Sequence, residues 1–351
     1  MERQLDDPRV LSEVHGRVGH IRLNRPEALN ALEFGMITAI TDTLDRWRED
    51  DEVCAILLSG AGDRALCAGG DIRASQDPDS PFTSEQFLRT EYALNLAIAT
   101  YPKPYVAIMH GLVLGGGMGL SAHGSHRIVT HGSRLGMPEV GIGFIPDVGL
   151  THVLSRLAGE TGTHLALTGS LVGPGDAILL GLADDFVPRE CLPSLIADLE
   201  TGGPEASIAR YTAPAPTAAL AGAQAWIDEC YVGDDVEAII RRLSAHPAPA
   251  AREAAATILT HSPTALTLAL RALREARDDS SLEQSLDREF RVAVRAFASA
   301  ELAEGVRAQL LDRDRSPRWN PSSLRLVGPD IVAPYFAPVQ PPLQLQRRRT
   351  V

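Results

Sequence analysis

PYVAIMHGLVLGGGMGLS, residues 104–121, is the stretch on which the fold turns. Its first six residues are a short apolar run bounded by turn formers, the pattern of a buried strand. A glycine-rich loop, LGGGMG (114–119), leaves it. The same construction stands upstream, where VCAILLS (53–59) runs into GAGDRALCAGGDI (60–72). Glycine permits positive φ and lets backbone N–H groups approach a ligand without side-chain obstruction. If each loop leads into a helix, its N–H groups also point outward at that helix's N-terminus. Two such donors, one per loop, can converge on one developing oxyanion, a device in which losing one donor typically costs about 10²–10³ in rate. Strand, glycine loop and helix recur, which indicates an α/β class. There is no GxxxxGK[ST], so a P-loop is excluded, and GGGMG is not GxGxxG, so a nicotinamide site is a poor reading.

Outward from these loops, residues 10–23 (VLSEVHGRVGHIRL) read as a hairpin turning at Gly16. A helix follows with Met36, Ile40, Leu44 and Trp47 on one face. Residues 76–84 read as a loop, with Ser84 placed to N-cap a helix through about Thr100. After about residue 190, Ala and Leu dominate and strand signals disappear. Residues 201–217, with their Gly and Pro clusters, read as a linker. Ser262 and Pro263 form a good helix start, and 281–311 read as continuous amphipathic helix. The division expected is a core over 9–190, a helical region over 191–336, and a disordered tail over 337–351. No internal repeat at a fixed period is evident.

The 351 residues carry a formal charge of −12 and are 44% hydrophobic, ordinary for a globular protein. That field repels nucleic acid and anionic membrane surfaces, so neither is expected as a partner. No secretory signal or run of about 18 apolar residues is apparent. The four cysteines are far apart, with no CxxC or zinc spacing. They read as reduced core residues of a cytoplasmic protein, with no metal site. His123 and His126 are spaced for one helix face, but no third ligand is evident. Ser121 is not in GxSxG, and no triad order appears.

MPEVGIGFIPDVG (137–149) puts Glu139 and Asp147 eight residues apart, each after a proline, in an otherwise apolar stretch. They either cap local helices or do chemistry. Glu91 raises the same question, because Phe87, Glu91, Leu94 and Ile98 share the apolar stripe of one helix. A carboxylate there is expensive unless paired or functional. His110 reads as a hydrogen-bonded structural residue, and Asp71 as the cap of the helix after the first loop.

Together LNRPEALNAL (23–32), CAGGDI (67–72), PYVAIMHGLVLGGGMGLS (104–121) and MPEVGIGFIPDVG (137–149), in that order, resemble the crotonase superfamily, the enoyl-CoA hydratase/isomerase family. The resemblance implies a ClpP/crotonase-like α/β fold, a spiral of ββα units with a helical C-terminal region. It implies that Gly70 and Gly116 supply the oxyanion-hole N–H groups to an acyl-CoA thioester. Family hydratases carry one glutamate just after the GGG segment and a second in the PE dipeptide. Here Gly119 takes the first place, Glu139 keeps the second, and Asp147 stands where hydratases usually carry glycine. That combination resembles the 3-hydroxyisobutyryl-CoA hydrolase branch, as do SPTALTLALRAL (262–273) and EGVRAQLLDRDRSPRWNP (304–321).

In that branch a carboxylate activates water or attacks the thioester directly, a role the resemblance gives to Glu139. Asp147 would hold the acyl hydroxyl and the water, and Glu91 would contact substrate. Coenzyme A is part of the substrate and no cofactor is implied. The NRP loop would meet the nucleotide end through Arg25, Ala28 and Asn30, with RDRSPR (313–318) a second source of cations. The RRR at 347–349 is assigned no function. Valine breakdown is the implied context, and homo-oligomers stay open because many crotonases are trimers or hexamers. Two rivals remain. One is an enoyl-CoA hydratase or isomerase; the other is a catalytically silent acyl-CoA-binding protein that keeps the glycine loops without turnover.

Overall fold

A computed structural model describes residues 8–72 and 82–345. Strands β1 (Val10–His15) and β2 (Val18–Leu23) form the expected hairpin around Gly16. Strands β3 (Ala55–Gly60), β5 (Tyr105–Met109), β7 (His126–Val129) and β9 (Asp185–Phe186) extend it into a six-stranded sheet, ordered β1-β2-β3-β5-β7-β9. Every pair after the hairpin is parallel. Strands β4 (Ala65–Cys67), β6 (Leu112–Leu114) and β8 (Arg134–Gly136) form a second, three-stranded parallel sheet. Three successive strand pairs therefore each give one strand to each sheet, which is one turn of a spiral per pair. Parallel strands buried on both faces read as continuous apolar runs, and β3 shows why. Ile56 and Leu58 enter the main core, whereas Ala55 and Leu57 face a second cluster on the opposite side.

The helices are α1 (Phe34–Arg48), α2 (Ser84–Ala99), α3 (Gly116–Ser121), α4 (Leu150–Leu154), α5 (Thr161–Thr168) and α6 (Pro174–Leu179). After β9 come α7 (Leu192–Thr201), α8 (Pro204–Tyr211), α9 (Gln224–Cys230), α10 (Val236–Ala245) and α11 (Pro249–Ile258). The chain continues through α12 (Pro263–Ala276), α13 (Leu282–Phe297), α14 (Ala300–Val306) and α15 (Pro329–Phe336). Met36, Ile40, Leu44 and Trp47 are all buried, as their spacing requires. The helical part is not a separate body. Leu273 of α12, Leu286 and Phe290 of α13 and Leu302 of α14 lie in the same apolar cluster as Ile56 and Leu58.

Several expectations need correction. Thr83, not Ser84, caps α2, through a reciprocal pair with Gln86. The stretch read as a linker contains α8, whose Ile208 packs with Leu195 and Leu199 of α7 against the sheet. The helix expected over 281–311 is interrupted, because Ser299 caps a new start and accepts the Leu302 N–H. His123 and His126 do not share a helix face; α3 ends at Ser121 and His126 opens β7. Of the four free cysteines, Cys67 and Cys230 are buried, but Cys54 is exposed and Cys191 intermediate. Within the segment read as a tail, Val339, Leu343 and Leu345 pack against the core, and Arg89 donates to the carbonyls of Pro341 and Pro342. Residues 76–81 of the expected loop and the RRR lie outside the described residues. Among the described residues no helix is long and apolar enough to cross a membrane.

Ser262 does cap α12, accepting the Ala265 N–H at 3.0 Å, and its hydroxyl donates to the buried Glu301. Ser262→Ala removes both partners, so a loss of about 1–2 kcal/mol is expected. Urea unfolding checks this, and a change under 0.3 kcal/mol would show that the cap is dispensable, a threshold of about half of RT.

Candidate active site

One cavity of about 1010 Å³ lies between the two glycine loops, α2 and the helical region. That is ample for a large ligand. Gly70, Gly116, Glu91, Glu139 and Asp147 all line it, as do Arg25 and Ala28. Residues scattered over about 120 positions of sequence are thus brought to one wall by the spiral, because β4 and β6 are neighbours and each ends in its glycine loop.

The loops face each other closely. A Cβ on Gly116 would stand 3.5 Å from the Gly70 nitrogen and 2.5 Å from Glu91 Oε1. A Cβ on Gly115, at φ 49°, would stand 2.7 Å from Glu139 Oε1. Side chains here would therefore fill the space the carboxyls occupy. Among the described residues, neither the Gly70 nor the Gly116 N–H has an intramolecular acceptor. Two donors and two acids share one concave wall.

Glu91 comes from the apolar face of α2 and is only 4% exposed, while Asp147 is 6% exposed. Glu139 opens the short 3-10 turn Glu139–Ile142 without capping it. The Oε1 of Glu91 and the Oε2 of Glu139 are shut off from solvent with no hydrogen-bond partner. Buried polar atoms are seldom left so, and both residues line the cavity. Asp147 is not a helix cap either; its Oδ2 accepts the Tyr92 hydroxyl at 2.7 Å. Burial pushes Glu91 and Glu139 well above the usual carboxylate range, and the neighbouring charge of Asp147 adds to the rise in both. Burial lifts Asp147 to about 7, against the pull of the Tyr92 hydrogen bond. The three acids repel one another's charge, so they titrate as a group.

The NRP loop behaves differently from the expectation at two positions. Arg25 is neutralised, pairing with Asp71 at 2.8 Å and Glu33 at 2.9 Å. Asp71 is accordingly held by Arg25. Asn30 is fully buried and faces away from the cavity. Its amide donates to the Ala61 and Ala65 carbonyls and its Oδ1 accepts the Arg25 N–H, which makes it a brace for the loop. Ala28 does line the cavity. His110 is a structural residue, with Nε2 3.1 Å from the Gly62 carbonyl.

Two residues were missed. Tyr92 orients Asp147, and its only sequence signal was adjacency to Glu91. Arg64 lines the cavity, as does Arg313 of the flagged RDRSPR cluster. Both side chains are exposed and have no ion-pair partner among the described residues. At Gly119, where the resemblance places a second glutamate in hydratases, an added Cβ would stand 2.7 Å from Asn95 Nδ2 and 2.8 Å from Val148 Cβ. Among the described residues no group of three His, Cys, Asp or Glu side chains is arranged to hold a metal ion.

Comparison with known proteins agrees with this arrangement. The family model for enoyl-CoA hydratase/isomerase matches residues 18–336. The mitochondrial 3-hydroxyisobutyryl-CoA hydrolase of Xenopus tropicalis is 39% identical, over 92% of this chain and 86% of that protein. The Homo sapiens protein of the same name is 37% identical, over 93% and 88%. Among solved structures, a carnitinyl-CoA dehydratase from Mycobacterium thermoresistibile superposes with a TM-score of 0.92 at 46% identity, covering 97% of this chain and 99% of that one. An enoyl-CoA hydratase from Rhodobacter sphaeroides 2.4.1 gives 0.89 at 41% identity, covering 96% and 100%. The fold is the crotonase fold that the resemblance of the four sequence segments implied. With the spiral, the paired loops and a family match spanning nearly the whole chain, this protein belongs to the enoyl-CoA hydratase/isomerase family.

Proposed function

We propose that this chain is a coenzyme A thioester hydrolase and that its substrate is 3-hydroxyisobutyryl-CoA. The observation that carries the reading is the pairing of Glu139 and Asp147 with two free N–H donors in one cavity, while position 119 has no carboxylate. The thioester oxygen accepts from Gly70 and Gly116, which stabilises the charge that develops on it. Ionised Glu139 takes a proton from water as the water oxygen bonds to the carbonyl carbon. The carbon–sulfur bond then breaks, and the proton passes to the leaving thiolate. Direct attack by Glu139 through an anhydride satisfies the same geometry, with water then cleaving the anhydride. Asp147, aimed by Tyr92, holds the acyl hydroxyl and the water, and Glu91 contacts the acyl group. Arg64 and Arg313, rather than the neutralised Arg25, meet the phosphates. The cytoplasmic placement suggested by the dispersed thiols belongs to this proposal, although the relatives are named as mitochondrial. So does homo-oligomer formation.

A hydratase is the second reading. The two solved structures just described are named as a dehydratase and a hydratase, and Glu91 offers a second acid facing the cavity. Gly119 argues against it, because its surroundings leave no room for the carboxylate used there in hydration.

Thiol release from 3-hydroxyisobutyryl-CoA is expected from the wild type, with Glu139→Gln and Asp147→Asn each lowering kcat by about 10²-fold or more. Loss of the crotonyl-CoA double-bond absorbance without thiol release would favour the hydratase. Acyl-CoA binding with neither signal would favour a silent binder. The rate should rise with pH above the ordinary carboxylate range, since burial raises the Glu139 carboxyl and the base must be ionised.

Stability should move the opposite way. Asp147 binds its proton more tightly folded, at about 7, than at the ordinary 3.8. Its favourable contribution is thus complete below about pH 4 and is lost as pH rises through about 7. Asp147→Asn should therefore stabilise the fold at pH 8 by on the order of 2 kcal/mol, the gain vanishing toward pH 4. Denaturant unfolding at several pH values tests the sign. Arg64→Ala with Arg313→Ala should raise KM roughly tenfold at low salt and less at high salt, leaving kcat within about twofold. An unchanged, salt-independent KM would remove both from the phosphate site.

A further inference from the structure

Asp147 sits on a strained elbow. Val148, which follows it, is a β-branched residue at φ 51°, in the left-handed region such side chains avoid. Strain of this kind persists only where the surroundings over-determine it. Three side chains do so here. The Tyr92 hydroxyl donates to Asp147. His123 Nε2 lies 2.8 Å from the Val148 carbonyl, and burial holds that imidazole down near 4, so it is neutral and donates from Nε2. Glu289, fully buried on α13, accepts the Gly149 N–H at 2.7 Å and the Thr151 N–H at 2.9 Å, and the Thr151 hydroxyl donates to it as well. A carboxyl group from the helical region thus grips the chain just after Val148, in the turn that carries an acid of the cavity.

We infer that Glu289 is a positioning residue for the reaction: it clamps the elbow at Val148 so that the Asp147 carboxyl faces the cavity. Glu289 does not line the cavity and touches no substrate. A buried carboxyl group is expensive unless it is well paired, and three donors from Gly149 and Thr151 account for its placement. The Tyr92 ring meets the Phe290 ring edge-on at 6.3 Å, so the residue after the clamp also steadies the phenol that aims Asp147.

This inference rests on the hydrolase reading, and a double-variant cycle separates the two. Wild type, Glu289→Gln, Asp147→Asn and the double variant are assayed for thiol release from 3-hydroxyisobutyryl-CoA, with Tm recorded for each. Glu289→Gln should lower kcat about 10- to 100-fold with KM within threefold. Added to Asp147→Asn, it should lower kcat no further, because both act through one carboxyl. A kcat within twofold of wild type would overturn the inference, as would losses that multiply in the double variant. If Glu289→Gln does not fold, Glu289→Asp, which keeps the carboxyl group but shortens its reach, is carried through the same cycle under the same criteria. If the wild type releases no thiol, the hydrolase reading falls and the cycle is read at pH 8 in Tm. Asp147→Asn should then raise Tm by several degrees alone and by less than half as much alongside Glu289→Gln, since a released elbow lets Asp147 reach water. Equal shifts would overturn the clamp.

Discussion

Charge that cannot reach water governs this molecule. Glu91, Glu139 and Asp147 converge on one cavity, each lifted above its ordinary pKa by burial. Desolvating even one carboxylate is costly, and a neighbouring like charge adds to that cost. The structure tolerates the arrangement because burial and mutual repulsion raise the acids' pKa values, so that fewer charges have to be held at once. The glycines of the two loops are part of the same accommodation. At Gly115 and Gly116 a single methyl group would displace a carboxyl oxygen.

Much of the fold was readable because its signals are local. Buried parallel strands announce themselves as apolar runs, and the hairpin, α1 and the start of α12 follow from turn and capping chemistry within a few residues. The site was legible for a related reason: Glu91 is a carboxylate on an apolar stripe, and Glu139 and Asp147 interrupt an apolar segment. The same test applied to α13 would have found Glu289, which stands between the buried Leu286 and Phe290.

What could not be read depends on partners distant in sequence. The pairing of Arg25 with Asp71 spans 46 positions, and it turns a candidate phosphate contact into a closed ion pair. Asn30 looked like a loop residue near a ligand but is used up by carbonyls more than 30 residues away. Where the C-terminal helices pack was open for the same reason. Amphipathic periodicity reports that a face is buried, and is silent about which surface covers it.

The grip of Glu289 on Gly149 joins positions 140 residues apart. Protein synthesis is vectorial, so a nascent chain exposes both glycine loops and all three acids long before the clamp leaves the ribosome. The emerging N-terminal portion can assemble its strands, yet its Asp147 turn has no reason to hold a left-handed valine. Competence is thereby deferred to the closing stage of translation, and a product terminated between α4 and α13 would carry both glycine loops and all three acids with the cavity unclosed and the Asp147 turn unclamped.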